Sequence, residues 1–126
     1  MKITTGIDII EVNRIEESIE KFGDKFLKEI FTDKEIKYCN SKKNKYQHYA
    51  ARFAAKEAVF KAISKLLDNK YKIEWTEIEI IHGKNQKPIV NLLKTIKQIE
   101  QIDVSLSHIK EYATASCIAV LNEKED

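Results

Sequence analysis

Glycine occurs three times in 126 residues, cysteine twice, and proline, methionine and tryptophan once each. So little glycine and proline excludes collagen-like and low-complexity chains, and no internal repeat or linker interrupts the sequence. Cys39 and Cys117 lie far apart and outside metal-ligand spacing. They are expected as reduced thiols of a cytosolic protein rather than as a disulfide scaffold. Long apolar runs are missing too. MKITTGIDIIEVNR carries an acid at position 8, so neither a signal peptide nor a membrane span is expected there. Arginine is scarce: of 22 basic residues only Arg14 and Arg52 offer the planar fork that lysine lacks. The net charge of +2 does not imply nucleic acid by itself, so any basic surface must come from local clustering.

What remains, 43% hydrophobic and 33% charged residues, describes a soluble globular chain. Its length gives one domain, residues 1–126, with a modest core that oligomerisation would help. Residues 3–12, ITTGIDIIEV, are rich in β-branched side chains and read as a strand. Asn13 followed by Glu16 has capping-box spacing, which predicts a helix from about Arg14 to Gly23. Thr32 and Glu35 of FTDKEIKYC repeat that signal for a short second helix. NSKKNK is a polar loop, and YQHYAARFAAKEAVFKAISKLL is the longest helical candidate. Then the period changes. TEIEIIH alternates, GKNQKP turns and PIVNLL returns as the second strand of a hairpin. LLKTIKQIEQI goes back to helical spacing, while DVSLSHI and ATASCIAVL read as strands paired across KEY. The order predicts an α+β domain, a mostly antiparallel sheet packed on a long central helix.

Within that helix the stretch RFAAKEAVFKA carries four charges. At about 100° per residue, Ala55, Ala58, Val59, Phe60, Ala62, Ile63, Leu66 and Leu67 form a broad apolar arc. Glu57, Lys61 and Ser64 share the remaining polar stripe. Glu57 and Lys61, four apart with the acid first, have the spacing of a solvated ion pair worth ~0.3–0.5 kcal/mol. Arg52 and Lys56 fall inside the apolar arc. A charge there must snorkel to water, form a structural salt bridge or meet an anion. Helical projection leaves these readings open.

GIDIIE sets Asp8 on the same strand face as Gly6 and Ile10. It either caps local backbone or holds a cation. Mg²⁺ takes one or two protein carboxylates and keeps its other positions for water and phosphate oxygens. Asp8 and Glu57 suit that role if the strand lies against the long helix.

GIDIIEVNRIEESI, FTDKEIKYC, RFAAKEAVFKA and LSHIKEYATA occur in this order and spacing. With them the chain resembles the holo-acyl-carrier-protein synthase family, the small phosphopantetheinyl transferases, over almost its whole length. The resemblance implies that family's fold and a Mg²⁺-dependent transfer of 4′-phosphopantetheine from coenzyme A to a serine of apo acyl carrier protein. Adenosine 3′,5′-bisphosphate is released, in support of fatty acid biosynthesis in the cytoplasm. It also implies a homotrimer with coenzyme A bound between subunits, and no nucleic acid or membrane partner. Asp8 and Glu57 match the family's metal carboxylates, and Lys61 matches the lysine near the pyrophosphate. Arg52 and His108 match positions near the nucleotide. Together Asp8, Glu57 and Lys61 would neutralise the charge that develops as the P–O bond breaks. The serine proton could go to Glu57 or to a metal-bound water.

Arg14, Ser18, Lys21 and Lys25 follow i, i+4, i+7, i+11 spacing beside a stripe of Ile15, Ile19 and Phe22. This is a solvated outer face or, by the resemblance, the surface on which Arg14, Lys21 and Lys25 steer an acidic carrier. Two departures from the family pattern bear on coenzyme A contacts. ISKLLDNKYKIEW follows FKA where a glycine-bearing turn is usual, and QKP stands where GKP is usual. Two other readings stay open: a non-catalytic interaction domain of the same fold, and a small nucleic-acid-binding module. The latter is suggested by KYCNSKKNKYQHY, whose lysines interleave with Tyr38, Tyr46 and Tyr49. The lysine loop is expected to border the nucleotide's 3′-phosphate. His48 and His82 carry no role at this level.

Overall fold

A computed structural model describes residues 1–67 and 72–122. The chain runs β1 (Lys2–Glu11), α1 (Val12–Phe22), α2 (Asp24–Ile30), α3 (Asp33–Asn40), α4 (Lys45–Ala62), β2 (Ile78–His82), β3 (Pro88–Leu92), β4 (Ile99–His108) and β5 (Tyr112–Leu121). The strands form an antiparallel three-stranded sheet, β1-β5-β4, and an antiparallel hairpin of β2 and β3. Helix α4 lies across β1 and β5. The α+β expectation holds, and no described helix is long and apolar enough to cross a membrane.

Small side chains let the central helix approach the sheet. Ala54, Ala55, Ala58 and Ala62 of α4 are buried against Ala115 and Ala119 of β5, with Val59, Ile63, Ile78 and Ile80 filling the rest. A second apolar cluster lies under α1–α3, around Ile15, Leu27, Phe31, Tyr49 and Ala51. Glycine matters most at Gly6. A Cβ there would overlap the carbonyl of Ala58, so the missing side chain sets how closely β1 can lie on α4.

Three expectations are corrected, and one helix is added. The first helix begins at Val12 with Glu11 before it, and Asn13 makes no cap. Strand β1 runs straight into α1, and the Val12 amide donates to Glu111 O at 2.9 Å. Gly23, at φ 59°, does end α1, and a further helix, α2, follows at once. Helix α4 stops at Ala62, after which Ser64–Leu66 tighten into a 3₁₀ turn. LLKTIKQIEQI is not a helix. Ile96 drops into the core and Ile99 opens β4 opposite Leu121, so apolar residues that mimic a helical stripe belong to a turn and a strand edge. The Thr32–Glu35 capping box is formed as predicted, with both reciprocal bonds.

Candidate active site

Asp8 and Glu57 meet. Strand β1 alternates, turning Gly6, Asp8 and Ile10 inward and Ile7 and Ile9 to solvent. With Gly6 seated on the Ala58 turn of α4, Asp8 faces the helix where Glu57 emerges. Both carboxylates line a cavity of about 370 Å³ with Arg14 and Ser18 of α1, Phe26 of α2 and Phe53 of α4. Burial pushes the Glu57 carboxyl up from the usual glutamate value, the nearby charge of Asp8 pushes it further, and Lys61 offsets part of the rise.

Lys61 does not form the expected surface pair with Glu57. Its Nζ donates to Asp8 Oδ1 at 3.2 Å and to the Ile7 carbonyl at 2.8 Å, tying α4 to β1. Both partners of Lys61 lie on β1, so tertiary geometry takes precedence over i, i+4 spacing. Lys61 also borders an adjoining hollow on the outer face of the sheet, beside Ile7 and Ile118.

The two charges on the apolar arc have different fates. Lys56 is wholly buried and forms a structural salt bridge. Its Nζ donates to Glu35 Oε1 at 2.7 Å, to the Ile30 carbonyl at 2.7 Å and to the Trp75 carbonyl at 3.0 Å. Glu35 also accepts from the amides of Thr32 and Ile80, so the pair joins α2, α3, α4 and β2. Burial pulls the Lys56 ammonium below the usual lysine value, and Glu35 opposes that pull.

Arg52 is 1% exposed, yet no carboxylate pairs with it among the described residues. Its Nη2 donates to His82 Nδ1 at 2.9 Å, and its guanidinium lies 4.2 Å from the centre of the Tyr38 ring. Its Nε has no hydrogen-bond partner. A buried cation with spare donors fits a site that receives an anion. His108 lines a 180 Å³ cavity with Arg52, Gln86, His48 and His82. The two histidines without a sequence-level role thus belong to this cluster. The only sequence signal for them was their rarity, since the chain has three histidines in all. The lysine loop reaches it too, Lys42 Nζ lying 4.8 Å over the Tyr38 ring.

The Arg52 cavity shares no lining residue with the Asp8–Glu57 cavity. Arg52 and Glu57 are five residues apart on α4 and point about 140° from one another. Arg14 lines the carboxylate cavity, and Lys21 is exposed near the end of α1. Lys25 leaves their pattern, because Gly23 breaks the helix and Lys25 sits on α2. Cys39 and Cys117 are buried, and burial pushes both thiols up to about 12, so neither supplies a thiolate. Gln86, at the position where the family pattern has glycine, adopts φ 62°, the left-handed backbone that glycine favours. Residues 68–71 of the altered stretch after FKA lie outside the described residues.

Comparison with known proteins identifies the family. The family model of the 4′-phosphopantetheinyl transferase superfamily matches residues 4–117. A holo-[acyl-carrier-protein] synthase of Chlamydia trachomatis serovar D is 48% identical over 120 residues, 90% of this chain and 96% of that one. The protein of the same name from Ruminiclostridium cellulolyticum is 44% identical, over 98% of this chain and 96% of its own. Among solved structures, the holo-(acyl-carrier-protein) synthase of Bacillus anthracis in complex with CoA (3′,5′-ADP) superimposes with a TM-score of 0.76 at 32% identity. That match covers 94% of this chain and 96% of that one. The Chronobacterium ammoniagenes ACPS-CoA complex gives a TM-score of 0.80 at 25% identity, covering 98% and 100%. The chain belongs to the 4′-phosphopantetheinyl transferase superfamily.

Proposed function

We propose that this protein transfers 4′-phosphopantetheine from coenzyme A to a serine hydroxyl of apo acyl carrier protein, with Mg²⁺, releasing adenosine 3′,5′-bisphosphate. It does so as one domain, residues 1–126, in the cytoplasm and in support of fatty acid biosynthesis. One observation carries the reading: Asp8 and Glu57 line one cavity, with Lys61 bonded to Asp8 at its edge.

The residues present fit Mg²⁺. The Glu57 carboxyl, pushed up first by burial and then by the neighbouring charge of Asp8, would be relieved by a divalent cation. Among the described residues no cluster of three or more metal-ligating side chains is gathered. Asp8 and Glu57 alone suit an ion that keeps most positions for water and phosphate oxygens. When bound, Mg²⁺ supplies charge neutralisation on the diphosphate as the P–O bond breaks. Lys61, held at the cavity edge by Asp8 and the Ile7 carbonyl, adds a positive charge beside the same oxygens. Arg14, at the cavity wall, orients the incoming carrier, and Lys21 and Lys25 extend the basic surface toward it. Arg52, His108 and the lysine loop hold the nucleotide end of coenzyme A.

Two features support a homotrimer with sites between subunits. Ile3, Ile7, Ile9 and Ile118 are 61%, 67%, 66% and 53% exposed on the outer face of the three-stranded sheet, an apolar surface suited to a second copy. The metal carboxylates and the Arg52 cluster also occupy different cavities, so one coenzyme A would span both if a neighbouring copy supplied one of them.

The test is incubation of the protein with apo carrier, coenzyme A and Mg²⁺, followed by mass measurement of the carrier. A phosphopantetheine increment that disappears on chelation is the expected result. An unmodified carrier in the presence of folded protein contradicts the reading.

A further inference from the structure

His48, His82 and His108 reach the Arg52 cavity from α4, the end of β2 and the end of β4. Their rings are not equivalent. Arg52 can only donate, so His82 accepts at Nδ1, and protonation there would break the 2.9 Å bond. His108 Nδ1 lies 2.9 Å from Gln47 Oε1 and donates to it. The His48 ring makes no hydrogen bond among the described residues. It has only edge contacts, with Tyr38 at 5.8 Å and His108 at 5.2 Å between centroids. His48 is therefore the uncommitted base of the cluster.

The charged and titratable groups facing His48 are His108 from β4, Arg52 on its own helix, Lys42 from the α3–α4 loop and His82 from β2. No carboxylate is among them. Burial and these neighbours pull the ring down to about 4, so it is neutral while no anion is present.

We propose that His48 is the proton-accepting residue of an anion subsite for a phosphomonoester, so that a dianion held on Arg52 draws one proton from solvent onto the His48 ring. This rests on coenzyme A as donor, whose 3′-phosphate is such a group. The dianion cancels the field of Arg52 and Lys42, and an opposite charge within ~4–6 Å favours imidazolium. The new N–H then donates to the phosphate as a charge-assisted bond. No covalent bond other than N–H is made.

Calorimetric titration of coenzyme A in two buffers of different ionisation enthalpy at neutral pH reads the protons taken up. The native protein is expected to take up more protons per coenzyme A than His48→Gln, by a large fraction of one. The ligand's own phosphate titration is common to both proteins and cancels in that difference. Between pH 8 and pH 6 the native protein should gain up to about tenfold more affinity than the variant. With 3′-dephospho coenzyme A the difference should vanish, and His82→Gln should retain it. Nuclear magnetic resonance titration of the native histidine rings, with and without ligand, gives the same readout if His48→Gln does not fold. Equal proton uptake with coenzyme A bound overturns the proposal and leaves the donor reading standing. A difference that persists with the dephospho ligand overturns the phosphate assignment. No binding of coenzyme A to either protein overturns both.

Discussion

Lys61 Nζ lies 3.2 Å from Asp8 Oδ1, so the cation of α4 serves the acid of β1 and not the acid of its own helix. Among the described residues Glu57 has no ion pair. The electrostatic cost of two carboxylates in one cavity therefore falls on Glu57, whose carboxyl is pushed up first by burial and then by Asp8.

The sign of its effect on stability follows. A carboxyl raised by folding binds its proton more tightly in the folded state. Stability thus falls as pH climbs from the unfolded value through the folded value, and stays lower above it. Glu57→Gln removes that loss. In divalent-free buffer at pH 7 the variant should melt above the native protein, and the gap should close near pH ~4. Activity should be abolished, and Mg²⁺ should no longer raise Tm. A lower Tm at pH 7 would count against this assignment.

Gly6→Ala tests how the two carboxylates are held together. Its Cβ would overlap the Ala58 carbonyl, and both partners are backbone, so β1 or α4 must shift. Overpacking of this kind costs about 1–3 kcal/mol. Denaturant titration should show that loss. The fraction that remains folded should have a lower kcat, because Asp8 moves with the strand. Unchanged kcat would mean that the spacing of strand and helix does not set the site.

Lys56→Met should destabilise the protein far more than any exposed lysine change. It leaves Glu35 buried with one partner missing, an effect of about 3–5 kcal/mol. Adding Glu35→Gln should recover part of it. Urea melts of the two single variants and the double variant supply the comparison, and fully additive losses would refute the coupling.

Carrier docking on α1 predicts a salt-dependent effect of Lys21→Glu. At low ionic strength KM for the carrier should rise several-fold while KM for coenzyme A stays constant, and the two proteins should converge at high salt. Unchanged carrier affinity at low salt would reject this surface.

Period and capping made much of the fold legible. The Thr32–Glu35 box, the β2–β3 hairpin and the β4–β5 pair are local patterns, and the structure contains each. LLKTIKQIEQI misled because Ile96 is buried and Ile99 half-buried by non-local partners, which helical spacing cannot register. Asn13 misled for a related reason: the chain enters α1 directly from β1, and the Val12 amide is satisfied by Glu111, nearly a hundred positions away in sequence.

The site divides along the same line. Asp8 and Glu57 could be paired from the strand and helix patterns once those elements were taken to touch. The preference of Lys61 for Asp8 over Glu57 depends on how β1 crosses α4, and no helical wheel contains that crossing. Lys56 and Arg52 looked alike in projection. One found Glu35 on α3, and the other was left with histidines and no anion. His48 and His82 carry no motif of their own and acquire a role only where α4, β2 and β4 come together.

Electron paramagnetic resonance of Mn²⁺ in the coenzyme A-loaded protein most directly tests whether β1 and α4 jointly hold one metal. One tightly held ion per subunit is the expected result, broadened by ³¹P coupling and released by Asp8→Asn and by Glu57→Gln alike. An ion that stays bound in both variants, or that shows no phosphorus coupling in the native protein, would contradict it.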